Sequence, residues 1–420
     1  MAGRRSGVAK QILDEQPLAF YTHCYGHSLS LAVSDMVKNC STMKKALDIT
    51  HEITKLIKYS PRREVLFRSI KDDVSPGTPG IRVLCPTRWT VRAETMDSII
   101  QNYSVLQEVW EKATEIVHDS DTIARIRGVE SMMQTFDFFF GLTLGHDLLR
   151  NTDNLSKALQ KKNFSAAEGQ IVAFQTKKTL LQIRSEECFN LFWEKVNKMA
   201  VDLDIGDPQL PRKRKRPRRL EEGAAPPEFD STPKDLYRRV NYEAIDFLVQ
   251  AIADRFEQEG YEIYSCVEKV LLKAIKKEDY SEELKQVSDV YGKDLDISNL
   301  QTQLCILTAN LPRDVHDIHT LISHMQKKSA AEKELICEVI RLMKIMLVMP
   351  ATNASSERSF SALRRLKTYL RSTMTQKRLN NLLILHVHKD RTDDIPLSEV
   401  LNDFVSKGER RSHVFGKLVH

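Results

Sequence analysis

The residues that break helices are scarce, with 15 glycines and 14 prolines among 420 positions. Leucine, lysine, glutamate and isoleucine are plentiful, so the expected chain is mostly helical. Long apolar runs are also missing. The longest, Ile345 to Pro350, falls far short of the ~20 residues that span a bilayer, which argues against a membrane-spanning helix. The opening residues MAGRRSGVAKQ carry no apolar stretch of the secretory kind. Cysteines are few and unpaired in pattern. Cys24, Cys40, Cys85, Cys188, Cys266, Cys305 and Cys337 stand singly and are odd in number, which excludes a disulfide framework and points to reduced thiols of the cytosol or nucleus. A broad basic surface is lacking too. The net charge of +6 rests on Arg212, Lys213, Arg214, Lys215, Arg216, Arg218 and Arg219. Without these seven the remainder holds 56 basic and 57 acidic residues.

What is present is an ordinary core-forming composition, 41% hydrophobic and 29% charged, long enough for two or three domains. Leu18–Cys24 after Pro17 predicts a buried strand running into a helix over 27–37. Helices are predicted over 41–59 and 61–72, then a loop at 75–80 and a second strand at 81–85. From about 90 to 205 the pattern is helical, and FDFFFGLTL at 136–144 reads as a core helix. Residues 206–236 hold six prolines beside the basic run and read as a linker. Helical periodicity resumes over 237–275, residues 276–300 look mixed, and the chain is helical again from 329. There Leu335, Ile336, Val339, Ile340, Met343 and Leu347 share a face until Pro350 stops the helix. Asn353, Ser355 and Ser356 offer caps for a helix placing Phe360, Leu363, Leu366 and Leu370 together. Thr375 can cap a last helix aligning Leu379, Leu382, Leu383 and His386.

The segment 350–385, PATNASSERSFSALRRLKTYLRSTMTQKRLNNLLIL, carries a proline, a small polar run, Ser-Glu-Arg-x-Phe-Ser, then Leu-Arg-Ser and Arg-Leu-x-x-Leu. This closely resembles the C-terminal dimerisation segment of hAT-superfamily transposases. His23-Cys24-Tyr25-Gly26-His27 resembles the family's C-x-x-H element, and Thr87-Arg88-Trp89 its Arg-Trp element. Within the superfamily the chain is similar to the tail of the zinc finger MYM-type protein 1 group. The resemblance covers essentially the whole chain.

It implies an RNase H-like sheet on which three carboxylates hold two Mg²⁺ ions for phosphoryl transfer. Glu357 of Ser-Glu-Arg corresponds to the third carboxylate. A glutamate in the first turn of a helix also suits the macrodipole without any chemistry. In relatives the second carboxylate lies just before a segment like MAGRRSGVAKQI, and the first lies earlier. The expectation is therefore that both are absent, Asp14 and Asp35 not replacing them, and that Glu357 is a remnant.

Other candidates have two readings each. Cys24-x-x-His27 has half-site zinc spacing without a second pair, and reads as packing that supports the sheet, with His27 once near DNA. His316, His319 and His324 read as solvated residues rather than metal ligands. Trp89 beside Arg88 suits stacking on an unpaired base, or a core anchor. The run at 212–219 suits nuclear import, or phosphate contact. Residues 350–390 hold eight basic residues, among them Arg358, against two acidic, which suits DNA or simply the polar face of two helices.

The expected architecture is thus mostly α with a small α/β part. An incomplete RNase H-like core, from residues 1–90 and 329–420, is interrupted by a helical insertion at 91–328. The expected function is nuclear dimerisation, without enzymatic activity, through Phe360, Leu363, Leu366, Leu370, Leu379, Leu382 and Leu383. The partner would be a second copy or a longer relative, with no membrane, no small-molecule substrate, no metal site and no cofactor. The alternatives are DNA binding, or Mg²⁺-dependent transposition with carboxylates supplied by an N-terminal extension or a partner.

Overall fold

The computed structural model describes residues 7–83, 92–160, 165–211, 232–348, 354–368 and 373–416. Among them the chain forms twenty-two helices and no strand. Contacts divide it into two compact units, Met1–Ala351 and Thr352–His420.

The first unit holds two apolar clusters. The hub of the first is the helix Phe136–Leu159, which packs on Tyr25–Asn39, Ser41–Lys58, Arg92–Gln101 and Ala166–Ile183. Thr135 starts it by accepting from the backbone N–H of Phe138. Phe138, Phe139, Phe140, Leu142 and Leu144 are all buried, as expected of its apolar first half. Each such side chain contributes about 1.5–3 kcal/mol of transfer free energy. The helix Pro233–Phe256 closes this cluster against Tyr25–Asn39. It begins four residues earlier than the periodicity implied, because Thr232 and Asp235 form a capping box around Pro233. The second cluster joins the helices Glu259–Lys276, Ser281–Tyr291, Ile297–Ala309, Ile318–Lys327 and Cys337–Val348 through Val267, Leu271, Leu300, Leu304, Leu321 and Leu342. Over 276–300 helix alternates with loop, the mixture of helix and loop expected there.

The two expected strands require correction. Leu18 lies in a turn and residues 19–24 form no strand, and neither do 81–83, with 84–85 outside the described residues. A lone strand leaves its backbone polar groups without a ladder. Here side chains of neighbouring helices supply partners. Tyr261 donates its hydroxyl to the His23 carbonyl at 2.5 Å, and Ser98 Oγ accepts from the Arg82 N–H at 3.1 Å. Phe20 packs on the second cluster. Gly260 permits this approach, since a Cβ there would lie 2.5 Å from Thr22 and 3.1 Å from Phe20. The RNase H-like core expected from 1–90 and 329–420 thus has no sheet among the described residues.

Candidate dimerisation region

The first half of the region lies in the first unit. Ser329 and Glu332 form a capping box that starts the helix Ala330–Leu335. The backbone breaks at Ile336 (φ −124°, ψ 40°), so the continuous helix expected over 332–349 is two helices, the second being Cys337–Val348. Ile336, Val339, Leu342 and Met343 are buried, whereas Leu335 and Leu347 are exposed, together with Val348. Most of the expected stripe is thus retained, with Leu342 added to the inner face and Leu335 and Leu347 left off it.

A pair of buried polar side chains makes that break possible. Gln303 Oε1 accepts from the N–H groups of Glu338 and Val339, at 2.7 and 3.4 Å, and so caps the start of Cys337–Val348. Glu338 returns the service. Its Oε2 accepts from the N–H of Asp296 at 3.2 Å, where Ile297–Ala309 begins, and its Oε1 accepts from Arg341 at 2.5 Å. Each helix start is satisfied by a side chain of the other helix. Both residues are at most 5% exposed, so an unfilled partner would carry the full desolvation cost.

The second half lies in the second unit. The helices Ala354–Leu366 and Gln376–Val387 pack on one another. Thr375 caps the latter by accepting from the Arg378 N–H, as its sequence position implied. Of the residues expected to dimerise, Leu379 is buried, Leu363, Leu366, Leu382 and Leu383 are half-buried, and Phe360 is 69% exposed. Leu370 lies outside the described residues. Ile384, Leu385 and Val387, which the periodic face did not include, are exposed as well. Burial of apolar side chains is sparse throughout this unit, where Ala362, Leu379 and Val405 are the fully buried ones among the described residues. Glu357 and Arg358 fall in Ala354–Leu366, although their side chains are not described.

The remaining candidates are dispersed. Trp89, Arg88 and the run Arg212, Lys213, Arg214, Lys215, Arg216, Arg218 and Arg219 lie outside the described residues. Cys24 is buried at the start of Tyr25–Asn39, and His27 is exposed on its first turn, its ring 4.8 Å from that of His23. Burial, then the neighbouring charges of His27 and Arg255, depress the His23 pKa. Asp35 is engaged by Arg255 at 2.6 Å, and Asp14 by Lys10. His316 and His319 are exposed and His324 is half-buried. Among the described residues no three His, Cys, Asp or Glu side chains group so as to hold a metal ion.

Sequence reasoning missed the buried polar residues that position helices across the fold. Besides Gln303 and Glu338, Glu268 Oε2 accepts from the Ala167 N–H at 3.0 Å. Asp153, 4% exposed, takes a backbone hydrogen bond from Ala93, and burial raises its pKa to about 6. The available signal was a polar side chain on an otherwise apolar helix face.

These helices contain the segment that comparison identifies. Residues 330–390 match the hAT family C-terminal dimerisation region. The chain therefore carries a segment similar to that family's dimerisation region. Along most of its length it is similar to the 52 kDa repressor of the inhibitor of the protein kinase, at 23% identity to the human protein and 22% to the mouse protein. Each match covers 93% of this chain and 52% of the relative, so the chain spans about half the length of the curated relatives it matches.

Proposed function

We propose that this protein is a transposase-derived nuclear regulator that acts by self-association and does not itself cut or join DNA. The observation that carries this reading is the matched dimerisation region, whose second half exposes Phe360, Ile384, Leu385 and Val387 beside a sparse core. Apolar side chains in such numbers on so small a unit are stabilised by a partner surface. Two considerations support the absence of strand transfer. Asp35, an acid near the motif of the early helix, is held by Arg255. The relatives are named as repressors. Descent from an RNase H-like core remains part of the proposal through the Cys24–His27, Arg88–Trp89 and Glu357 elements. The run at 212–219 is proposed as the nuclear import signal.

Light scattering coupled to size exclusion tests the association, with a dimer expected at micromolar concentration and a clean monomer overturning it. A second assay addresses chemistry. Mg²⁺-dependent nicking by the purified chain that disappears in Glu357→Gln would replace this reading with the enzymatic one. A fusion of residues 206–236 to a cytoplasmic reporter should accumulate in nuclei, and Lys213→Ala/Arg214→Ala/Lys215→Ala should abolish that.

A further inference from the structure

Resting on that dimeric reading, we infer that the helix Leu397–Ser406, beyond the matched region, completes the interface by seating on the Ala354–Val387 helix pair of a second copy of this chain. Leu397, Val400, Leu401 and Phe404 fall at i, i+3, i+4 and i+7, which places them on one stripe. All four are between 42 and 72% exposed, while Val405 beside them is buried. The helix packs on Glu409–Phe415, where Phe404 meets Phe415 with ring centroids 6.2 Å apart and Arg411 lies over the Phe404 ring at 4.2 Å. Even so its stripe stays open to solvent.

Charge selects the occupant. Residues 354–389 carry eight basic side chains against the single acid Glu357, and of these Arg364, Arg365, Lys367, Lys377, Arg378 and Lys389 are exposed. Residues 390–403 carry Asp390, Asp393, Asp394, Glu399 and Asp403 against the single base Arg391. One chain therefore presents both an acidic amphipathic helix and a basic helix pair with exposed Phe360, Ile384 and Leu385. Two copies related by a twofold axis satisfy both surfaces at once, since each acidic helix meets the partner's basic pair. The surface also continues directly from the matched dimerisation region.

The test is a charge-reversal exchange in the full chain, followed by sedimentation velocity. One variant is Asp394→Lys/Asp403→Lys and the other Lys377→Glu/Arg378→Glu. Each alone places like charges at both contacts, and its dimer dissociation constant should rise about tenfold or more. An equimolar mixture restores opposite charges at both contacts, so a heterodimer near wild-type affinity is expected. A variant that dimerises as well as wild type alone, or a mixture that fails to recover, overturns the inference. Failure of the wild-type chain to dimerise at all would instead overturn the underlying reading, so the two outcomes are distinct.

Discussion

At the scale of single residues, Gly169 and Asp153 make the sharpest demands. A Cβ on Gly169 would lie 2.2 Å from the ring of Tyr25, which is fully buried and stacked on Phe256 and Tyr261 at 5.6 and 4.6 Å. The ring cannot give way between its neighbours. Gly169→Ala should therefore cost about 3 kcal/mol, read as an earlier midpoint in urea denaturation. Asp153 works in the opposite sense. Its carboxyl titrates near 6 in the folded chain, above the ordinary value near 3.8, so the folded state holds that proton more tightly. Stability is then full below about pH 4 on this group's account and declines as pH rises through about 6. Asp153→Asn keeps an acceptor for the Ala93 N–H and removes the buried charge. It should raise stability by about 2 kcal/mol at pH 8 and leave it unchanged at pH 4, which thermal melts at the two values would show. A fall at pH 8 would contradict this. Neither role was legible, because a helical glycine signals only a propensity cost and a helical aspartate usually faces water.

At the scale of elements, local chemistry was legible wherever a helix supplies its own signals. Thr375 as a cap, the apolar FDFFFGLTL run as a buried hub and the loop at 75–80 follow from side chains within a few residues of one another. The expected strands failed for a related reason. An apolar run such as LAFYTHC says that a segment is buried in part but not what completes its backbone hydrogen bonds. Here Tyr261, more than two hundred residues away, does so. The break at Ile336 was hidden likewise, because its cap comes from Gln303. Gln303→Leu should leave the N–H groups of Glu338 and Val339 unsatisfied and cost about 2–3 kcal/mol. Hydrogen exchange in 337–342 and 296–300 should rise together, since the two helix starts are satisfied reciprocally. Loss of protection confined to one of them would contradict the reciprocal cap.

At the scale of the whole molecule, the dimerisation motif was legible because Ser-Glu-Arg-x-Phe-Ser and its followers form a long ordered string. The faces were less so. Periodicity grouped Leu379, Leu382 and Leu383, yet these are buried or half-buried within the second unit, and Ile384, Leu385 and Phe360 are left outside. Which stripe faces a neighbouring helix and which faces a partner depends on packing that a single helix does not encode. On the proposed self-association, the second unit, with few buried apolar side chains among its described residues, is the part that a partner would stabilise. Its melting should accordingly rise with protein concentration. The most direct test is the mass of the full chain in solution, measured by light scattering at tens of micromolar for wild type and for Phe360→Asp/Ile384→Asp. Twice the 48.3 kDa chain mass is expected for wild type, and the single-chain mass, with unchanged far-ultraviolet circular dichroism, for the variant. A wild-type species of 48.3 kDa would contradict self-association.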